Sequence, residues 1–342
     1  MTRTTPPRPA DIVAVFPRLA PLARTATRLH PRPGSPSPNG SSIGGPLLWP
    51  AAEPWPHCDG PHEPDGRPAT TPADVRLLRR ILASANNRPQ GDTLFTPEEQ
   101  AVVDRIDVGH PWPEEPIAML PVAQLYVRDV PLLRPPEQAD MLQVLWCPFD
   151  HPEQYIPKTA LFWHSSTAVT DILTAPPEPA VVQHEGYVPE PCLVHPEQVV
   201  EYPAPLELDR DLREQVEQWS ARHKAGAEPG SAYDQAEAAF YQYELSVAPG
   251  WKVGGWAPWT FTDPHPQHCP ACNTQMVPLL TIASNEWDDS NHSWIPYEDQ
   301  AAASHTTYPD PAHPAMVSIA GFNQQIYACP AFPDHPHTEL MQ

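Results

Sequence analysis

Proline constrains this chain more than any other residue type: 51 of its 342 positions are proline. Proline lacks the backbone N–H donor and is excluded from helix interiors and central strands. Helices must therefore be few and short, and loops abundant. The chain is nonetheless no low-complexity polymer. It carries 11 Trp, 10 Tyr and 8 Phe along its length, the anchors that disordered chains lack. Its length suffices to bury a sizeable core. These features together describe a loop-rich globular protein.

Two helix starts are explicit. In "TPADVRLLRRILASAN" Thr71 is placed as N-cap, Pro72 at the first helical position and Asp74 in the first turn, ahead of an apolar stripe of Val75, Leu78 and Leu82. "TPEEQAVVDRI" repeats the logic, with Thr96 and Glu99 as a capping box around Pro97. A third helix is expected over "DRDLREQVEQWSARHKAG", with Leu212, Val216 and Trp219 on one face, and a fourth over "SAYDQAEAAFYQYE". The remaining apolar runs read as strands: "IAMLPVAQLYVRD", "MLQVLWC", "TALFWH", "MVPLLTIAS", "AMVSIAG" and "QQIYAC". They are short, rich in aromatic and β-branched residues, and bounded by turn residues. Strands and helices do not alternate, which argues against a doubly wound parallel sheet. The expected class is α+β, mainly antiparallel β, with a few inserted helices.

The two halves share an order of features. "SIGGPLLWPAAEPWPHCDG", "AMLPVAQLYVRDVP" and "MLQVLWCPFDH" run in the first half; "KVGGWAPWTFTDPHPQHCPAC", "MVPLLTIASNEWD" and "QQIYACPAFPDH" run in the second. Each set presents Gly-Gly, Trp and Pro, then His-Cys, then a strand ending in acidic residues, then a strand entering Cys-Pro and Asp-His. This order implies two related sheet units by internal duplication. The expected layout is an N-terminal helix and proline-rich linker over 1–40 and one compact body over 41–342. That body would hold pseudo-repeats at 41–185 and 246–342, joined by a helical insertion at 205–245.

"KVGGWAPW", the Cys-x-x-Cys, "MVPLLTIASNEWD", "PVAQLYVRDV" and "MLQVLWC" resemble the YwqG-like family of bacterial proteins. The similarity is sparse over residues 40–342 and departs from the family pattern in proline-rich insertions near 60–115 and 185–245. The resemblance implies a compact, mainly β, α+β fold with internal duplication and no established enzymatic activity. The family's suggested association with bacterial toxin–immunity systems hints at protein binding.

The cysteines number six, at 58, 147, 192, 269, 272 and 329. With no export signal, a reducing cytoplasmic setting is expected, where clustered cysteines are more often metal ligands or redox groups than disulfides. In "HCPAC", Cys269 and Cys272 are spaced as a zinc knuckle. Asn273 follows, at a position where positive φ is common and Asn tolerates it. Cys329 and His335, with His337 as the alternative ligand, would complete a structural zinc site. "CPAC" also has the form of a redox couple, but that chemistry favours a helix N-terminus, and none is visible; unliganded core cysteines are the third reading. In the first half, Cys58 with His62 and Cys147 with His151 form a weaker candidate site, against a decayed copy of the second.

No serine nucleophile elbow, phosphate loop, dinucleotide fingerprint or His-Glu-x-x-His occurs. No catalytic or cofactor-binding residue is therefore singled out. Cys192 and His195 are close in sequence only. Trp55, Trp256, Trp259 and Phe261 read as core anchors before binding aromatics. Net charge is −22, which repels nucleic acid and anionic membrane and attracts a basic protein partner. No apolar run approaches the roughly 20 residues of a membrane helix. The first 32 residues hold six Arg and one acid, faintly like a transit peptide, but Pro17 and Pro21 suit a broken amphipathic helix better. The leading expectation is a non-enzymatic protein binder, of immunity or scaffold type, with a structural zinc. The alternative is a metal-dependent hydrolase built on the first-half Cys/His group.

Overall fold

A computed structural model describes residues 2–86, 88, 94–152, 154–223, 239–303 and 308–342. The fold is α+β, and every strand pairing in it is antiparallel. Two six-stranded sheets dominate. The first runs in the order β10 (Glu197–Glu201), β1 (Arg24–Arg28), β11 (Lys252–Gly254), β12 (Val277–Ile282), β13 (Gln324–Ala328), β14 (Thr338–Met341). The second runs β2 (Arg32–Pro33), β9 (Cys192–Leu193), β3 (Ser42–Ile43), β6 (Leu120–Tyr126), β7 (Met141–Asp150), β8 (Pro157–His164). A small ribbon pairs β4 (His57–Cys58) with β5 (Ile117–Ala118).

The aromatic and β-branched runs became strands as read, with one exception. "AMVSIAG" lies in turns, with a single bridge between Ile319 and Phe322. The segment 1–40 is more than helix and linker. A four-residue helix (Ile12–Val15) and a 3-10 turn (Pro17–Leu22) lead into β1, which sits between β10 and β11, and β2 then joins the other sheet. Helix α1 (Pro72–Asn86) buries Val75, Ile81 and Ala85, with Leu78 and Leu82 half-buried. Helix α2 (Pro97–Val108) opens with the full Thr96–Glu99 capping box. Helix α3 (Arg210–Ala221) is capped by Asp209 and buries Leu212 and Val216. Of the expected fourth helix, residues 231–238 lie outside the described residues; Ala239–Tyr241 is helical and continues as a π turn to Ser246.

The two sheets match in detail. In each, a Gly-Gly with positive φ stands at the end of the third strand of the order: Gly44 and Gly45 just after β3 (φ 73° and 82°), Gly254 and Gly255 at the close of β11 (72° and 73°). Each has a bulge at a proline in the next strand, Pro121 to Ala123 against β7 and Pro278 to Leu280 against β13. Each carries a buried polar row across three strands: Ser42, Gln124 and Gln143 in one, Lys252, Thr281 and Gln325 in the other. Gln143 donates to Gln124 Oε1 at 2.7 Å, and Thr281 to Gln325 Oε1 at 2.7 Å.

The inner faces of both sheets meet in one apolar core, with Val122, Val144 and Trp146 from one and Val253, Leu280 and Ile326 from the other. Buried polar groups must find partners, and here charges find each other. Lys252 Nζ donates to Glu201 at 2.6 Å with both side chains fully buried. Glu201 also accepts from the amides of Ala248 and Trp256. Gly255 packs so tightly here that a Cβ would lie 2.2 Å from the Glu201 carboxylate. The edge strands β8 and β14 are tied by Glu339, which accepts from Thr159 Oγ1 at 2.6 Å, while Gln324 Nε2 donates to Glu339 at 2.8 Å and to Pro157 O at 2.7 Å.

Candidate metal centres

The first-half group is assembled by β4, β7 and the turns that follow them. Cys58 is held opposite Ile117 by the β4–β5 pairing. Gly60, at φ 83°, turns the chain so that His62 follows closely; a Cβ there would meet His62 N at 3.2 Å. The β7–β8 register shifts between Trp146 and Asp150, so Cys147 sits in a bulge that re-aims it. Tyr155 N donates to His151 O at 2.8 Å and closes the hairpin behind His151. The Glu63 amide donates to Asp150 O at 2.8 Å, joining the His62 turn to β7.

Cys58, His62, Cys147 and His151 thus converge, with ligand atoms all within 4.8 Å of one another. Cys147 Sγ lies 3.2 Å from His62 Nε2, and Cys58 Sγ 3.7 Å from His151 Nε2. Cys58, Cys147 and His151 are buried and His62 is half-buried. The paired thiols share charge. A hydrogen bond with Cys147 pulls the Cys58 thiol down to about 3 against the opposing effect of burial, helped by His151. The same bond, with burial, pushes Cys147 up.

The second group sits at the matching place in the other sheet. Residues 268–275 form a tight knuckle: His268 bridges Gln275, Cys269 N donates to Thr274 O at 2.9 Å, and Asn273 N to Cys269 O at 2.8 Å. Asn273 has φ 59°, as its type and place suggested. Cys329 follows β13 directly, as Cys147 sits near the end of β7. Cys269, Cys272, Cys329 and His335 converge within the same 4.8 Å limit. Cys269 Sγ is 3.4 Å from His335 Nδ1, and the Sγ atoms of Cys272 and Cys329 are 3.6 Å apart. Hydrogen bonds with the Thr274 side chain and amide pull exposed Cys272 down to about 6. No helix begins at the motif.

All six cysteines are free thiols, and either group of four can hold a metal ion. A tetrahedral zinc with Zn–S near 2.3 Å and Zn–N near 2.0–2.1 Å has edges of about 3.8 Å between sulfurs and about 3.5 Å between sulfur and nitrogen. Two edges of each group, at 3.2 to 3.7 Å, lie within about 0.3 Å of these lengths, and the other ligand atoms lie within 4.8 Å of one another.

The candidate ligands His335 and His337 separate cleanly. His335 is in the group, whereas half-buried His337 lies 3.0 Å from Thr159 Oγ1. Cys192 is buried with its thiol on Pro314 O. Trp55 and Trp259 are buried core residues, Trp256 stacks under Arg24, and Phe261 is exposed. Residues behind the first site escaped the sequence reading. Asp150 accepts from Tyr187 Oη at 2.6 Å and Gln183 Nε2 at 2.8 Å, and burial pushes its carboxyl up. Only adjacency to His151 hinted at it.

No protein-family model matches the chain, and no curated protein does. No helix among the described residues is long and apolar enough to cross a membrane.

Proposed function

We propose that the chain is a non-catalytic protein-binding protein whose two sheets are each pinned by a structural zinc ion. The observation that carries this reading is the ligand count. Each group offers four side-chain ligands within 4.8 Å of one another, and four protein ligands on one zinc close the coordination sphere and leave no position for a substrate. The metal-dependent hydrolase needs an open position, and the first-half group fills all four. Membership of the YwqG-like family and descent of the two sheets from one duplicated unit belong to the same proposal. The matched bulges, glycine pairs and polar rows support the duplication. Six free thiols suit a reducing cytoplasm.

The test is metal content by mass spectrometry on protein purified without a histidine tag, beside Cys58→Ser and Cys269→Ser. Two zinc ions per chain are expected, with one lost in each variant. A metal-free chain would overturn the sites. A first-half metal that turns over an ester or phosphate substrate would replace the binder with the hydrolase.

A further inference from the structure

Beside the second metal centre runs a groove of about 1080 Å³. One wall is the edge of β8, from Thr159 to Trp163; the other is made by the ends of β1, β11, β12 and β13 and by residues 333–337. Leu132, Leu161, Trp163 and Leu279 give it an apolar lining.

The edge of β8 is open. Val127 N donates to Asp140 O at 2.9 Å across β6 and β7, which fixes the alternation along β7. Met141, Gln143 and Leu145 therefore turn their backbone groups to β8, opposite His164, Phe162 and Ala160. It follows that Thr159, Leu161 and Trp163 point their N–H and C=O groups away from the sheet. Glu339 takes the Thr159 amide. Among the described residues, none takes those of Leu161 and Trp163.

Charge gives the second observation. The chain as a whole carries −22, yet this groove is lined by Arg24 and Arg134 against a single acid, Asp334. Both arginines are exposed, and neither makes a salt bridge or hydrogen bond among the described residues; Arg24 stacks on Trp256 and feels the charges of Glu207 and Glu201, neither of which lines the groove. Exposed Lys158 lies next to the groove-lining stretch of β8. The groove thus reverses the sign that the whole chain's charge suggests for a partner.

We propose that the groove takes an extended acidic peptide segment of a partner protein, added as a further strand to β8. Main-chain hydrogen bonds to Leu161 and Trp163 would anchor it. Side chains on its groove side would meet the apolar wall and the guanidinium groups of Arg24 and Arg134, and acidic ones on the other side would meet Lys158. A second copy of this chain fits less well, because pairing β8 with itself brings these cations against their own counterparts. A small organic acid would leave the open edge unused. The inference rests on the binding reading above, and not on which metal fills the two centres.

The experiment uses the full metal-loaded chain and a fluorescein-labelled peptide of alternating Glu and Val, read by anisotropy and by hydrogen exchange at β8. Controls are a Lys/Val peptide, the Glu/Val peptide N-methylated at alternate residues, dodecanoate as a small acid, and the Arg134→Glu chain. Expected are binding of Glu/Val about tenfold tighter than Lys/Val, a loss of about tenfold in Arg134→Glu, slowed exchange at Leu161 and Trp163, and no binding after N-methylation. Equal binding of the Glu and Lys peptides, binding without protection of β8, or displacement by dodecanoate would overturn the proposal. So would protection of β8 without peptide in a concentration-dependent dimer. The peptide series works on the unaltered chain, so the result does not depend on how the variant folds. Metal content from the same preparation separates the two readings: two zinc ions without peptide binding sinks the groove alone, and binding without zinc sinks the metals alone.

Discussion

Single residues carry much of what the knuckle needs. Asn273 holds φ 59° directly after Cys272, a conformation that costs most side chains about 1–2 kcal/mol. Asn273→Gly is expected to leave stability near the native value, and Asn273→Val to lower it by about 1–2 kcal/mol, read by chemical denaturation with zinc present. Equal effects of both would mean that the side chain, not the backbone angle, is what matters. The second-half ligands were legible because Cys-x-x-Cys is local in sequence. The first-half ligands span 58 to 151 and show no cysteine pair, so only the shared order of the two halves exposed them. The choice between His335 and His337 was beyond the sequence. Both lie in the same short stretch Pro333-Asp334-His335-Pro336-His337, and it is the β8–β14 contact through Thr159 that draws His337 away.

At the scale of elements, the two longest strands that the apolar runs do not mark are charged ones. β1 is "RTATR" and β10 is "EQVVE". Hydropathy marks neither as buried, yet Arg28 and Glu201 are fully buried. What makes the outer face of this sheet possible is that its buried charges find partners: Lys252 pairs with Glu201, and Arg28, which stands opposite Glu197, donates to Thr5 Oγ1 and Trp294 O. Such pairs are costly to break singly. Lys252→Met is expected to destabilise by about 3–5 kcal/mol because Glu201 stays buried and unpaired. The double change with Glu201→Leu should recover most of that loss in equilibrium unfolding. The same face sets an acid response. Burial alone would raise Glu286, but His30, Arg28 and Arg32 hold it below its ordinary value of 4.5. Glu197 is shifted down likewise, through His30 and Thr5. A carboxylate lowered by folding adds stability that is complete above its unfolded value and lost as pH falls through its folded one. Melting temperature should therefore drop as pH is lowered below 4.5, and Glu286→Gln should start lower near neutrality and drop less. Glu339, raised mainly by burial, works in the opposite direction, so an unchanged slope in Glu286→Gln would assign the acid response elsewhere.

Across the whole molecule, the two sheets are similar units that cannot be independent ones. Residues of both build one apolar core, the N-terminal segment threads β1 into one sheet and β2 into the other, and Glu339 and Gln324 clasp β14 and β13 to the β8 hairpin. Each candidate metal centre sits near the end of a strand that enters this shared core, Cys147 in β7 and Cys329 after β13. Structural zinc contributes about 10–16 kcal/mol of apparent binding energy in small domains, as much as the whole stability of an ordinary one. With zinc in both groups as proposed, loss of either ion should propagate beyond its own sheet. The second centre should go first under a chelator, since Cys272 is exposed while both cysteines of the first are buried. The expected outcome is one cooperative transition on chelation, with far-UV and near-UV circular dichroism coincident and Trp146 and Trp251 losing their burial together. Two separated transitions, the second sheet melting while the first persists, would show that the core is divided between the two sheets and that each metal stabilises its own half.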